Sequence, residues 1–136
     1  MKNIAILNLG SHDIRIKKEC EEDCLKTFDY DEGFEIQSNL CEFTKKLYEE
    51  YPKGIEYIEF PIVEPIMKKI ERELPDGERL NKIIFVTTEQ DKADKKDTVY
   101  LGKLFKKIKS DNKSELNKKL GFSNIKVDYY IIRKNP

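Results

Sequence analysis

The sequence predicts an α/β fold, with a mostly parallel central sheet and helices on both faces. Three observations carry that expectation. Short apolar runs rich in β-branched residues stand at 3–9, 83–86 and 125–132. Segments with apolar residues at helical spacing lie between them. Strand alternating with helix along one chain is the pattern of parallel sheets joined by crossover helices.

The elements follow in order. Residues 3–9 are apolar up to Gly10, as in a buried strand that ends in a turn. Residues 14–18 alternate, with Ile14 and Ile16 opposing Arg15 and Lys17, which suits a half-exposed strand. Residues 19–35 hold eight acids and one base, Lys26, and read as a solvated loop or irregular hairpin. Ser38 suits a helix cap, and Leu40, Phe43, Thr44, Leu47, Tyr48 and Tyr51 follow at helical spacing until Pro52 stops them. Ile55 to Phe60 is a short strand or edge segment. Pro65 opens a second helix with Ile66, Ile70 and Leu74 on one face, and Pro75-Asp76-Gly77 ends it. Ile83-Ile84-Phe85-Val86 reads as a strand covered on both faces, with a polar loop from Thr87 to Lys96 behind it. Asp97 or Thr98 caps a third helix carrying Leu101, Leu104, Phe105 and Ile108. Ser114 to Leu120 is a short helix with Gly121 at its C-cap, and residues 125–132 are the last strand.

Composition sets the bounds. A length of 136 residues allows one domain, a size at which about two-thirds of the unfolded surface is buried. Lys plus Arg number 26 and Asp plus Glu number 26, so the formal net charge is zero. That balance argues against a protein whose whole surface binds DNA or acidic membranes. No apolar run approaches the roughly 20 residues that span a bilayer. The N-terminal segment reads as a strand and not as a signal peptide, so Cys20, Cys24 and Cys41 are expected as reduced thiols in a cytoplasm.

Ligands of open α/β sheets bind outside the carboxyl ends of the strands. Two segments occupy such ends. One is Asn8-Leu9-Gly10-Ser11-His12-Asp13 after the first strand; the other is Thr87-Thr88-Glu89-Gln90 after the central strand, running on to Asp97 and Thr98. Gly10 allows close backbone approach to a ligand, and the short polar side chains can bond sugars, phosphates or base edges. Polar residues after strands are also ordinary turn formers. Neither G-x-G-x-x-G nor G-x-x-x-x-G-K-[ST] occurs, which weakens the dinucleotide and P-loop readings. His12, the one histidine, is either a pocket donor or proton carrier, or an exposed turn residue. The three cysteines have poor spacing for zinc, and no histidine is placed to activate a thiol, so neither a metal nor a cofactor is expected. Residues 102–119 carry seven lysines, which attract polyanions or form a solvated helix face. Aromatic residues do not interleave with them along the sequence, so direct DNA binding is not expected.

Taken in order, several segments resemble a known family. The first strand ends in Leu-Gly-Ser-His-Asp (9–13), and Phe60-Pro61-Ile62-Val63 leads into a helix. Then come Ile84-Phe85-Val86-Thr87-Thr88-Glu89-Gln90, Lys96-Asp97-Thr98 opening a helix, and a terminal Asn135-Pro136 after a strand. This order is similar to the CARF domains, the CRISPR-associated Rossmann-like sensors of type III systems. The resemblance implies a two-fold homodimer that binds a cyclic oligoadenylate across its axis and controls an effector. It places Gly10, Ser11, His12 and Asp13 in one ligand loop and Thr87, Thr88, Glu89 and Gln90 in the second, with Asp97 and Thr98 at the following helix start. It also implies further elements beyond Asn-Pro, so residues 1–136 are expected to be the N-terminal part of one sensor domain without its effector. Two other functions compete. A metal-independent ring nuclease would cleave the messenger, with Ser11, His12 and Thr88 as candidates for orienting groups and stabilising charge. A nucleotide-unrelated interaction domain would use none of them.

Overall fold

A computed structural model describes residues 3–89, 97–122 and 125–133 of the chain. Its main sheet has three strands: β1 (Asn3–Asn8), β4 (Leu80–Glu89) and β5 (Lys126–Arg133), in the order β1-β4-β5 and all parallel. β2 (Arg15–Ile16) and β3 (Ile58–Glu59) form a separate antiparallel ladder. The helices are α1 (Glu21–Thr27), α2 (Leu40–Glu49), α3 (Val63–Glu73), α4 (Val99–Lys109) and α5 (Glu115–Leu120). The fold is α/β, with a central parallel sheet flanked by helices.

β4 is the middle strand, paired with β1 along one edge and with β5 along the other. Ile83, Phe85 and Thr87 are buried on one face, and α4 packs there. The Phe105 ring lies 4.5 Å from Phe85 and 4.2 Å from Phe60, tying helix, sheet and the β3–α3 connection into one core. α4 comes this close because Gly102 has no side chain. A methyl at Gly102 would lie 2.4 Å from Thr87 Cγ2 and 3.2 Å from Tyr129 Cβ.

Helical cover is uneven. Ladder pairs Ile6–Ile84, Val86–Tyr130 and Thr88–Ile132 place these residues on the other face of the sheet. There Ile4, Ile6, Tyr130 and Ile132 are exposed. Lys82 and Asp128 pair at 3.1 Å on that same face.

Several segments depart from the sequence reading. Residues 19–35 are not a solvated loop: α1 forms, and Cys24, Leu25 and Phe28 are buried from it. Its acids Glu21, Glu22 and Asp23 occupy the first turn, where the helix dipole favours negative charge. Downstream, Tyr30 and Phe34 stack at 3.7 Å and lean on Phe43. Ser38 does not cap α2; it ends a short 3-10 turn, and Asn39 holds the N-cap position with no side-chain cap bond. The polar residues Thr87, Thr88 and Glu89 continue β4, because β5 pairs with them as far as Arg133. The rest of the expected Thr87–Lys96 loop lies outside the described residues.

The expected Ile55–Phe60 strand shrinks to Ile58–Glu59, because Ile55–Tyr57 is a 3-10 turn leading into it. α3 opens two residues before Pro65, which falls in its first turn, where its missing N–H costs no bond; the helix buries Val63 and Met67, and the expected face of Ile66, Ile70 and Leu74 is only half-buried. Ser114 Oγ accepts from Asn117 N at α5, and Gly121 ends the helix at φ 75°. Buried Lys109 joins α4 to this corner: its ammonium donates to Asn117 Oδ1 and to the Gly121 carbonyl, each at 2.5 Å. Burial lowers the pKa of that lysine.

The contact at Gly102 yields a test. Gly102→Ala is expected to cost about 1–3 kcal/mol, the usual penalty for an extra methyl in a packed core. Thr87→Ser in the same chain should return part of that loss, because it deletes the Cγ2 that the new methyl meets. Urea unfolding of the four proteins in the cycle checks both; strictly additive effects would contradict the contact.

Candidate functional site

Parallel pairing brings both expected segments to one edge of the sheet. Asn8 lies opposite Val86, and Leu9 N donates to the Val86 carbonyl at 2.9 Å. The loop after β1 and the last residues of β4 therefore leave the sheet side by side.

The β1 loop is held by its own aspartate. Gly10 N donates to Asp13 Oδ2 at 2.6 Å, and Asp13 N donates to the Gly10 carbonyl at 3.2 Å. Asp13 is buried, so its carboxylate shapes the turn and does not face a ligand. Gly10 and His12 are exposed, and Ser11 is half-buried.

The β4 segment divides by strand alternation. Thr87 is fully buried; its hydroxyl donates to the Tyr130 carbonyl at 3.0 Å, and its methyl fills the space beside Gly102. It supports the edge from inside. Thr88 points the other way and is half-buried. Thr98 clamps it: Thr88 N donates to Thr98 Oγ1 at 2.8 Å, and Thr98 N donates to the Thr88 carbonyl at 3.1 Å. Thr98 is itself buried, so its hydroxyl fixes the start of α4 to the end of β4. Asp97 Oδ1 accepts from Val99 N at 2.8 Å, which takes one of the helix's first amides. Glu89 is ion-paired with Arg133 at 3.4 Å, so its charge is partly answered within the chain. Gln90, Lys96, Asn135 and Pro136 lie outside the described residues.

Of the ten expected residues, Gly10, Ser11, His12 and Thr88 present groups outward. Asp13, Thr87, Asp97 and Thr98 hold the edge in shape, Glu89 pairs with Arg133, and Gln90 lies outside the described residues. Asn8, which opens the first expected segment, is exposed at the end of β1. One residue escaped the sequence reading: Tyr130 is 65% exposed on the open face two residues before Ile132, the partner of Thr88. The alternation of β5 was its signal, since Tyr129 and Tyr130 must face opposite ways.

Two clefts lie away from this edge. One, of about 510 Å³, includes Lys17, Tyr51, Ile55 and Leu116 in its walls; the other, of about 680 Å³, includes Arg15, Glu59, Lys68 and Arg72. Among the described residues no group of three or more His, Cys, Asp or Glu is placed to hold a metal ion. Cys24 is buried, which pushes its thiol up to about 12; burial also raises Cys41. Neither supplies a ready thiolate. No helix among the described residues is long and apolar enough to cross a membrane.

Comparison with protein-family models, with curated proteins and with solved structures finds no match to this chain. The site therefore rests on its own geometry.

Burial holds the Asp13 carboxyl above the ordinary value of 3.8, against the opposing pull of the Gly10 amide and of His12. A raised acid favours the protonated fold. Its contribution to stability is full below the unfolded value and is lost as pH rises through the folded one. A carboxyl-carbon NMR titration should place the Asp13 midpoint above 3.8. Asp13→Asn keeps an acceptor for Gly10 N–H, so its stability relative to the parent should improve as pH rises toward neutrality. A depressed midpoint would contradict the buried turn.

Proposed function

We propose that this chain is a sensor domain that binds a cyclic oligoadenylate across a two-fold dimer and passes the signal to an effector. One observation carries the reading: the Gly10-Ser11-His12 turn, with Gly10 and His12 exposed and Ser11 half-buried, and the Thr88 end of β4 stand side by side at the carboxyl edge of two adjacent parallel strands. That edge is where open α/β sheets bind nucleotides. The resemblance in motif order to the CARF sensors supplies the ligand class and the dimer.

The chemistry of the edge suits such a ring. Gly10 lets backbone approach a phosphate or ribose without a side chain between them. Ser11 and His12 offer hydrogen bonds to ribose or phosphate oxygens, and Thr88 offers a hydroxyl beside them. The exposed Tyr130 ring gives a purine a face to stack on. Asp97 keeps its carboxylate at the start of α4, so the phosphates are expected over the β1 turn and not over that helix end. The effector, and a cytoplasmic setting, belong to this proposal.

Isothermal titration with cyclic tetra-adenylate and cyclic hexa-adenylate tests it. Saturable binding of one ring per two chains is expected. Ser11→Ala combined with His12→Ala should weaken it by about tenfold or more, since each lost hydrogen bond contributes about 1 kcal/mol. A folded, dimeric sample that takes up neither ring would falsify the reading. Chromatography of the ligand after long incubation shows whether the ring is also cleaved.

A further inference from the structure

We propose that the exposed face shared by α2 and α4, where tyrosines and lysines interleave, binds single-stranded RNA. The face lies apart from the strand-end site and does not depend on the reading given to it.

Aromatic residues do not interleave regularly with the lysines of residues 102–119 along the sequence, but the fold brings Tyr48 beside Tyr100 of α4, and Tyr51 beside Lys107. Tyr48 and Tyr100 lie with ring centroids 6.0 Å apart. Lys103 Nζ stands 4.9 Å from the Tyr100 centroid and 6.0 Å from that of Tyr48. Lys107 Nζ stands 4.7 Å from Tyr48 and 5.5 Å from Tyr51. Lys45 approaches Tyr100 at 5.7 Å. Two helices thus bring three rings and three ammonium groups onto one face.

An ordinary solvated helix face in this protein looks different. Lys26, Lys53, Lys68 and Lys118 each pair with a glutamate three or four residues away. Lys45, Lys103 and Lys107 make no ion pair with a carboxylate among the described residues, although the chain holds 26 acids. Their charge is left to attract an outside anion. The rings beneath them are half-buried, so each keeps part of its surface exposed. Asp111, which accepts from the Tyr51 hydroxyl at 2.6 Å, closes the patch at one end.

Lysines spaced for phosphates and aromatic faces for bases are the two parts of a single-strand binding surface. Duplexes hide their base faces and cannot use the rings. The hydroxyls of Tyr48 and Tyr100 make no hydrogen bond among the described residues, and each can offer one to a ribose 2′-hydroxyl, the group that separates RNA from DNA. From Tyr100 to Lys107 the face runs about 10 Å along α4, room for a short stretch of strand.

Fluorescence anisotropy with the full chain and a labelled uridine-rich RNA tests the proposal, with the same sequence as DNA and as duplex RNA beside it. The logarithm of affinity should fall against the logarithm of salt concentration with a slope of about −2, as three lysine–phosphate contacts on a single strand require. Lys103→Ala with Lys107→Ala should bring the slope to about −0.7. Tyr100→Leu should leave the slope unchanged and weaken binding at least about fivefold, the lower end of one base–aromatic stack. Circular-dichroism melts confirm that each variant is folded. Absence of RNA binding by the folded parent at low salt overturns the proposal. So does an unchanged affinity in Tyr100→Leu, or binding of the DNA or the duplex as tight as that of the RNA.

Discussion

The closeness of α4 to the sheet at Gly102 is the constraint on which the rest of the structure depends. Thr87 Cγ2 and the Tyr129 side chain fill the space that a Cβ would need. Gly102 N donates to the Thr98 carbonyl, so the glycine's position fixes the helix start one turn earlier. Thr98 then bonds both the amide and the carbonyl of Thr88. A packing contact in the core is thereby converted into a fixed geometry at the sheet edge. The outward groups of the candidate site inherit their placement from it.

The same contact explains a division of labour among polar residues. In a strand, neighbours must face opposite ways. Thr87 is spent on the core, where its hydroxyl meets the Tyr130 carbonyl, while Thr88 is left for the surface. The β1 turn shows a parallel division: Asp13 is buried to hold Gly10, and Ser11 and His12 remain outside. Net charge says little about such a surface. The charge that matters is local, as where Glu89 meets Arg133 at the edge or where Lys103 and Lys107 of α4 make no ion pair with a carboxylate among the described residues.

Much of this was legible in the sequence because it rests on local rules. Apolar periodicity placed β1, α4 and β5, and Ser114 and Gly121 marked the ends of α5. What was hidden depends on distant residues. Acids around Cys24, Leu25 and Phe28 masked the short α1, whose apolar side finds cover only when Phe43 arrives from α2. Thr87 reads as loop chemistry until β5 pairs with it. Tyr48 and Tyr100 are 52 residues apart in numbering, and only the packing of α2 on α4 makes them neighbours of the same lysines. Which strand-end residues face outward also required the register, since alternation assigns Thr87 and Thr88 opposite roles.

The central claim is that the carboxyl edge of β1 and β4 is a nucleotide site. A proton–nitrogen NMR titration of the chain with cyclic tetra-adenylate tests it most directly, because it reads location as well as binding. The account predicts shifts concentrated at the amides of Gly10, Ser11, His12 and Thr88, with the amides of α3 unmoved. Shifts centred on the clefts beside α3 or α5, or no shift at any of those four amides at saturation, would contradict it.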